Sequence, residues 1–95
     1  MNTWKADDIP AASRQAAVAG EYGRYALLNL GDLAAPPLIL RDTAGQLWEL
    51  IDGRRTVSEL VGVVADLFGV EAEDVEGRVV EFLGELEALG LVSAA

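Results

Sequence analysis

Residues 47–92, LWELIDGRRTVSELVGVVADLFGVEAEDVEGRVVEFLGELEALGLV, decide the fold. Helix-start signals and glycine stops divide this region into consecutive helices. Thr56 and Glu59 stand in capping-box spacing, in which the hydroxyl and the carboxylate each satisfy an orphan backbone N–H at a helix start. They open a helix over about 57–68, with Val57, Leu60, Val61, Val64, Leu67 and Phe68 expected on its buried side and Gly69 as its stop. The next helix spans about 72–89 and stops at Gly90. Its acid-rich start (Glu71, Glu73, Asp74) suits the positive end of a helix dipole. Just upstream, Asp42 and Thr43, with Gln46 three residues after Thr43, predict another capping box and a helix over about 43–51. That helix carries Leu47, Trp48, Leu50 and Ile51 and ends at Asp52-Gly53, where glycine can take the left-handed conformation that terminates a helix.

On a helical wheel the last helix places Val75, Val79, Phe82, Leu86 and Leu89 in one stripe, widened by Leu83 and Val80. Asp74, Arg78, Glu81 and Glu85 fall on one flank, and Gly77, Gly84 and Ala88 lie away from the core. Each of these glycines costs about 1 kcal/mol relative to alanine in a helix interior. The simpler reading is a solvated face; the alternative is a surface that admits another backbone closely.

Outward from this helical half, the earlier residues read as strands. Residues 1–13 form a flexible N-terminal arm, with Trp4 and Ile9 as candidate anchors and Pro10 as punctuation. From residue 14 to 95 the chain reads as one domain. Its strand candidates are RQAAVAGE (14–21), YGRYALLNL (22–30) and the short run Leu38, Ile39, Leu40. Both faces of 22–30 are partly apolar, so periodicity does not say which is buried. Pro36 and Pro37 precede the third run, and proline at a strand start is tolerated mainly on a sheet edge. The expected fold is α+β, a three-stranded antiparallel sheet within about 14–41 followed by three helices.

A three-helix unit of this kind commonly signals DNA binding, and the charge excludes it. The chain carries −9, and from Thr56 to Ala95 nine acids face Arg78 alone, so this segment holds −8 of that charge. Phosphate contacts need cations that displace condensed counterions. Nucleic acid is therefore excluded as a partner, and anionic membrane surfaces are disfavoured for the same reason. With 95 residues, 52% of them hydrophobic, the chain supports a single modest core. Cysteine and histidine are both absent, which removes disulfides, thiolate chemistry and ordinary zinc sites. No segment approaches the roughly 20 apolar residues of a membrane-spanning helix. A cytoplasmic location is expected.

No catalytic constellation emerges. Ser13, Ser58 and Ser93 have no histidine to activate them. Glu73 and Asp74 read as a solvated helix start, and Gly20, Gly23 and Gly31 lack the spacing of a phosphate loop. An acyl carrier protein would need Asp-Ser-Leu at a helix start, and the only helix serine here, Ser58, sits in Val-Ser-Glu. The chain is expected to be no enzyme and to carry no cofactor or metal.

The segment Leu-Trp-Glu-Leu-Ile-Asp-Gly-Arg-Arg-Thr-Val-Ser-Glu-Leu at 47–60, followed by Phe68-Gly69-Val70, Val75, Val79, Phe82-Leu83, Leu86 and Gly90-Leu91-Val92, resembles the PqqD family. These domains are also called RiPP recognition elements, after the ribosomally made, post-translationally modified peptides they serve. The resemblance covers about residues 38–92. It departs from the family at Arg78, where such domains often have an acid just before the valine that is Val79 here.

The resemblance implies a winged helix-turn-helix-like fold that binds the leader region of a precursor peptide. The leader would add as a strand beside the third strand and lie against the third helix. Main-chain hydrogen bonds at a strand edge supply affinity, and side-chain pockets supply specificity. The peptide-binding residues implied are Leu38, Ile39, Leu40 and Arg41 on the strand, with Val75, Arg78, Val79, Phe82 and Glu85 on the helix. Val79 and Leu86 also read as ordinary core. The partners implied are a precursor peptide and a separate maturation enzyme, such as a leader peptidase of lasso-peptide biosynthesis or a radical-SAM enzyme. Read as a whole chain, residues 1–95 are expected to act as a free-standing peptide chaperone, a monomer or a strand-exchanged dimer. Two other readings stand beside this one. A winged-helix transcription regulator conflicts with the −8 charge and with the three residues left after Val92 for a wing. A protein-protein adaptor would use the glycine-bearing face of the third helix.

Overall fold

Thr56 and Glu59 close the capping box that their spacing predicts. The Glu59 N–H donates to Thr56 Oγ1 at 3.1 Å, and the Thr56 N–H donates to Glu59 Oε1 at 3.0 Å. The structure is a computed structural model describing residues 4–21 and 23–95. Residues 1–3 of the expected arm, and Tyr22 at the head of the second strand candidate, lie outside the described residues. The order of elements is β1 (Pro10–Ala12), β2 (Ala16–Glu21), β3 (Arg24–Asn29), β4 (Leu38–Leu40), α1 (Asp42–Leu50), α2 (Val57–Phe68), α3 (Ala72–Ala88) and β5 (Val92–Ala94). The fold is α+β, with three helices and two antiparallel sheets.

The larger sheet has the order β2-β3-β4, so β2 and β4 are its edges. Leu27 of β3 stands between Val18 and Leu38, and Tyr25 stands between Gly20 and Leu40. Strand side chains alternate between faces. The face holding Tyr25, Leu27, Leu38 and Leu40 meets the core, which settles the question that the two-sided apolarity of β3 left open. The other face holds Ala19, Ala26 and Ile39. Ile39 is 55% exposed.

The helical layer closes the core from the other side. Leu60, Leu83 and Leu86 are fully buried. Each contributes about 1.5–3 kcal/mol relative to an exposed side chain. Gly69 ends α2 at φ +64, the left-handed conformation that favours glycine. The side chain of Asn29 donates from Nδ2 to the Leu89 carbonyl at 3.0 Å, tying β3 to the end of α3.

Four expectations need correction. The strands do not all precede the helices. β5 follows α3 and pairs with β1 in a second, two-stranded sheet, Pro10 opposite Ala94 and Ala12 opposite Val92. For residues 4–13 the arm is held in place: Trp4 is buried in the core, and the Val57 and Ser58 N–H groups donate to the Asp8 and Ala6 carbonyls at 2.8 and 3.0 Å. These contacts give α2's orphan N-terminal donors backbone partners. The expected Thr43–Gln46 box is replaced by a different start. Arg41 is the N-cap without a side-chain bond, its carbonyl accepts from the Ala44 and Gly45 N–H groups, and Asp42 sits at φ +53. Finally, Leu67, Phe68 and Leu89 are 61, 45 and 45% exposed. They continue the apolar spacing past the point where a neighbouring element covers it.

Two local devices fix α1. Asp52 Oδ1 accepts the N–H groups of Arg55 at 2.8 Å and Arg54 at 2.9 Å, folding the chain back after α1, while Arg55 pairs with its other oxygen at 3.2 Å. These backbone donors, Arg55's first, hold the Asp52 carboxyl below its ordinary range. At the other side, Gly45 lies against Gly23, so that a Cβ there would overlap the Gly23 carbonyl. Glu49 reaches the same place, accepting from the Gly23 N–H at 3.2 Å and from the Tyr25 hydroxyl. The bond to Glu49 raises the pKa of Tyr25.

This geometry predicts the effect of three substitutions. Gly45→Ala forces overlap with backbone and should destabilise the protein by at least about 1–3 kcal/mol. Gly77→Ala enters space with no neighbour within 4 Å, and should stabilise it by about 0.5–1 kcal/mol; urea denaturation measures both. Asp52 stabilises the fold in its charged form. Its contribution is full above the unfolded carboxyl pKa of about 3.9 and disappears as pH falls through the lower folded value. Asp52→Ala should therefore lower the thermal midpoint at pH 7, and the gap to wild type should narrow progressively below about pH 4.

Candidate functional site

The apolar stripe of α3 is wider than the core needs. Val79, Leu83 and Leu86 are buried, whereas Val75 and Phe82 are only partly covered and Arg78 is exposed. The uncovered part faces a hollow of about 410 Å³. Its walls are Thr43, Ala44 and Leu47 of α1, Val64 and Phe68 of α2, Val70 after it, and Val75, Arg78, Val79 and Phe82 of α3. Among the described residues, Thr43 and Arg78 supply its only charged or hydroxyl-bearing side chains, so its lining has the chemistry to cover a bulky apolar group.

A second hollow, about 380 Å³, adjoins the first and shares Arg78 and Phe82 with it. Glu81 and Glu85 complete its walls. Among the described residues, the side chains of Arg78, Glu81 and Glu85 make no hydrogen bond or ion pair within the protein. Three charged groups therefore stand around a half-buried aromatic ring with their hydrogen-bonding capacity unused. A third, much smaller hollow of about 20 Å³ lies toward the other end of α3, where Leu38 and Pro36 meet Leu89 and Leu91.

These contacts orient β4. Its first residue, Leu38, lies by the C-terminal end of α3, and the residues that follow it, Thr43 and Ala44, lie by Val75 and Arg78 near the N-terminal end. Of β4 itself, only Leu38 lines a hollow, the smallest of the three. The strand pairs with β3 on one side, and among the described residues no strand pairs with its other side. The sheet thus ends in a strand edge without a partner among the described residues, and an apolar and a charged hollow follow one another along α3.

The residues singled out in the sequence take distinct positions. Leu40 and Val79 are buried, Leu38, Val75 and Phe82 are half-buried, and Ile39, Arg41, Arg78 and Glu85 are exposed. Val75, Arg78, Val79 and Phe82 share the larger hollow, and Arg78, Phe82 and Glu85 share the second. Ile39 points to the opposite face of the sheet from Leu38 and Leu40. Sequence reasoning missed Thr43, Ala44, Leu47, Val64, Phe68, Val70 and Glu81 as walls of the groove. Phe68 and Val70 carried a usable signal, since large apolar residues flanking a helix-stopping glycine are poorly placed for burial by their own helix. Thr43 and Ala44 carried none.

Among the described residues no three acidic groups are placed to hold a metal ion, and no helix is long and apolar enough to cross a membrane. The outer face of α3 is open, with no atom within 4 Å of a Cβ at Gly77 or Gly84.

A family model described as coenzyme PQQ synthesis protein D (PqqD) matches residues 37–92, more than half of the chain. That span begins just before β4 and ends at the start of β5, so it contains the strand edge, all three helices and every wall of the two larger hollows. No curated protein and no solved structure matches the chain.

Proposed function

This chain belongs to the PqqD family, and from that premise we propose that it is a non-catalytic module that binds the leader region of a ribosomally made precursor peptide and delivers it to separate maturation enzymes. The family places the chain in the biosynthesis of modified peptides. The observation that carries the finer reading is the free edge of β4, whose Leu38 meets Leu89 and Leu91 and whose following residues Thr43 and Ala44 wall the apolar hollow together with Val75, Arg78, Val79 and Phe82. A leader strand added to β4 gains main-chain hydrogen bonds that tolerate variable sequence, while alternate side chains reach the hollows.

The chemistry of the groove suits this role. Main-chain bonds at an edge require no conformational change in the sheet, and the larger hollow takes one bulky side chain. Arg78 stands at the wall shared by both hollows with free donors for peptide carbonyl oxygens. The protein supplies no reactive group, so its contribution is to raise the local concentration of substrate at an enzyme it also contacts. Lasso-peptide biosynthesis, with its leader peptidase, is the setting we favour, with a radical-SAM maturation enzyme as the other partner type. Both settings place the protein in the cytoplasm.

Fluorescence anisotropy with a labelled leader peptide, taken from the precursor encoded beside this gene, tests the reading. The peptide should bind saturably. The same peptide N-methylated at alternate residues, which removes the strand's hydrogen-bond donors, should bind at least tenfold more weakly, as should the native peptide to Arg78→Ala. Absence of saturable binding to protein shown by circular dichroism to be folded would reject it.

A further inference from the structure

We infer that the face of the three-stranded sheet turned away from the helices docks a second copy of this chain, in a two-fold dimer that seats each Ile39 on the other copy's Ala19 and sets each Arg41 against the other copy's Glu21. This does not rest on the leader reading. The face lies opposite to the one that carries Leu38 and Leu40, and covering it leaves the free edge of β4 open.

An antiparallel sheet with one face on the core ordinarily alternates apolar residues inward with polar residues outward. This sheet is apolar on both faces. Away from the core, Ala19, Ala26 and Ile39 form one cross-strand row, and Ala17 and Leu28 form the next. Pro37 completes that second row, because Leu38 stands opposite Leu27 and the residues beside them are neighbours in turn. The exposed Leu30 continues the face past β3, its N–H donating to the Gln15 carbonyl. Apolar sheet faces are buried under a second layer, and the helices supply that layer to the other face alone.

The relief of the face fits a second copy. In both rows the side chains are smallest on β2 and larger on β4. The alanines leave a hollow of about 270 Å³ walled by Ala17, Ala19, Ala26, Leu28 and Pro37, and Ile39, 55% exposed, stands beside it as a ridge. Stacked sheets lie about 10 Å apart with their strands nearly aligned. A two-fold axis running along β3, midway between two such sheets, lays β4 of each copy over β2 of the other and keeps every row at its own level. Each Ile39 then falls on the other copy's Ala19, and each Pro37 on the other copy's Ala17, the reciprocal contacts of an isologous interface.

The same rotation matches charge. The third row holds Glu21 and Arg24, which stand opposite each other. Arg41 joins it, since it follows Leu40 with extended backbone (φ −136°, ψ 156°) and so lies beside Arg24. With Glu21 on β2 and Arg41 at the end of β4, each Arg41 meets the other copy's Glu21, while Arg24 keeps the Glu21 of its own sheet as neighbour. All three are exposed. Of the chain's −9, residues 56–95 hold −8, and these residues contain α2 and α3. Two copies approaching through their sheets therefore keep most of their acids apart. The three strands span roughly 14 by 20 Å, well below the about 800 Å² per partner of a standard interface. A weak dimer follows, with a dissociation constant of about 10–100 µM.

Sedimentation equilibrium of the intact chain from about 5 to 500 µM, at low salt, tests this. The wild-type mass should rise from one chain toward two across that range. Glu21→Arg and Arg41→Glu should each weaken dimerisation at least about tenfold, because the two-fold axis counts each change twice. The double variant Glu21→Arg/Arg41→Glu should recover most of that loss. Ala19→Arg, at an exposed position beneath the other copy's Ile39, should remain monomeric while circular dichroism shows all variants folded. A wild-type chain that stays monomeric throughout overturns the inference. So does a dimer that survives Ala19→Arg, as one made by strand exchange would, and so do single reversals that the double variant fails to rescue. Leader binding, measured by anisotropy on the wild-type protein, stands or falls separately.

Discussion

The contact on which the rest of this structure depends is made by two residues without side chains. Gly45 of α1 rests on Gly23 at the β2–β3 hairpin, so closely that a single methyl group would overlap the carbonyl beneath it. Glu49, one turn further along α1, accepts from the Gly23 N–H and the Tyr25 hydroxyl and fixes the rotation of the helix about that contact. Arg41 is the only residue between β4 and α1, so fixing α1 also fixes where β4 ends. Thr43, Ala44 and Leu47 become one wall of the larger hollow as a consequence. The geometry of the groove is thus set from the side opposite to α3, by packing that contributes no surface to the groove itself.

α3 completes the groove because its apolar stripe exceeds what the core covers. Val79, Leu83 and Leu86 face inward and anchor the helix. Val75 and Phe82 lie at the edge of that contact, and the exposed Phe68 extends the apolar surface from the end of α2. Complete burial of these residues would have stabilised the domain further and removed the cavity. A strand edge with unpaired backbone groups is likewise a liability for a small protein. β4 is kept to three residues and preceded by two prolines, which limits uncontrolled pairing at its free edge.

Local signals were legible in the sequence, and contacts between distant segments were not. The Thr56–Glu59 box and the Gly69 stop involve residues within one turn of each other, and both form as their spacing predicts. The Thr43–Gln46 spacing is equally good, yet Arg41 and Asp42 start that helix one residue earlier, with Asp42 in a left-handed conformation that no local pattern announces. The pairing of Pro10–Ala12 with Val92–Ala94 joins the two ends of the chain through residues of weak strand propensity, so neither partner is recognisable without the other. The burial of Trp4 is part of the same long-range arrangement. Apolar spacing ranked Val79 and Leu86 correctly as inward-facing but placed Leu67, Phe68 and Leu89 there too, because it does not show where the neighbouring element ends. Arg78, Phe82 and Glu85 were reached through family resemblance and spacing. Glu81 shares their flank of α3 by helical spacing, whereas the α1 wall of the groove depends on tertiary packing alone.

The central claim is that β4 and α3 form one binding surface and that a peptide occupies it as a strand. Amide hydrogen exchange with and without the leader peptide measures this directly. The account predicts new protection at residues 38–40 together with slower exchange in α3 around residues 75–85, and no change along β2, the other free edge of the sheet. Protection at residues 16–21 instead, or protection confined to α3 with β4 unaffected, would contradict it.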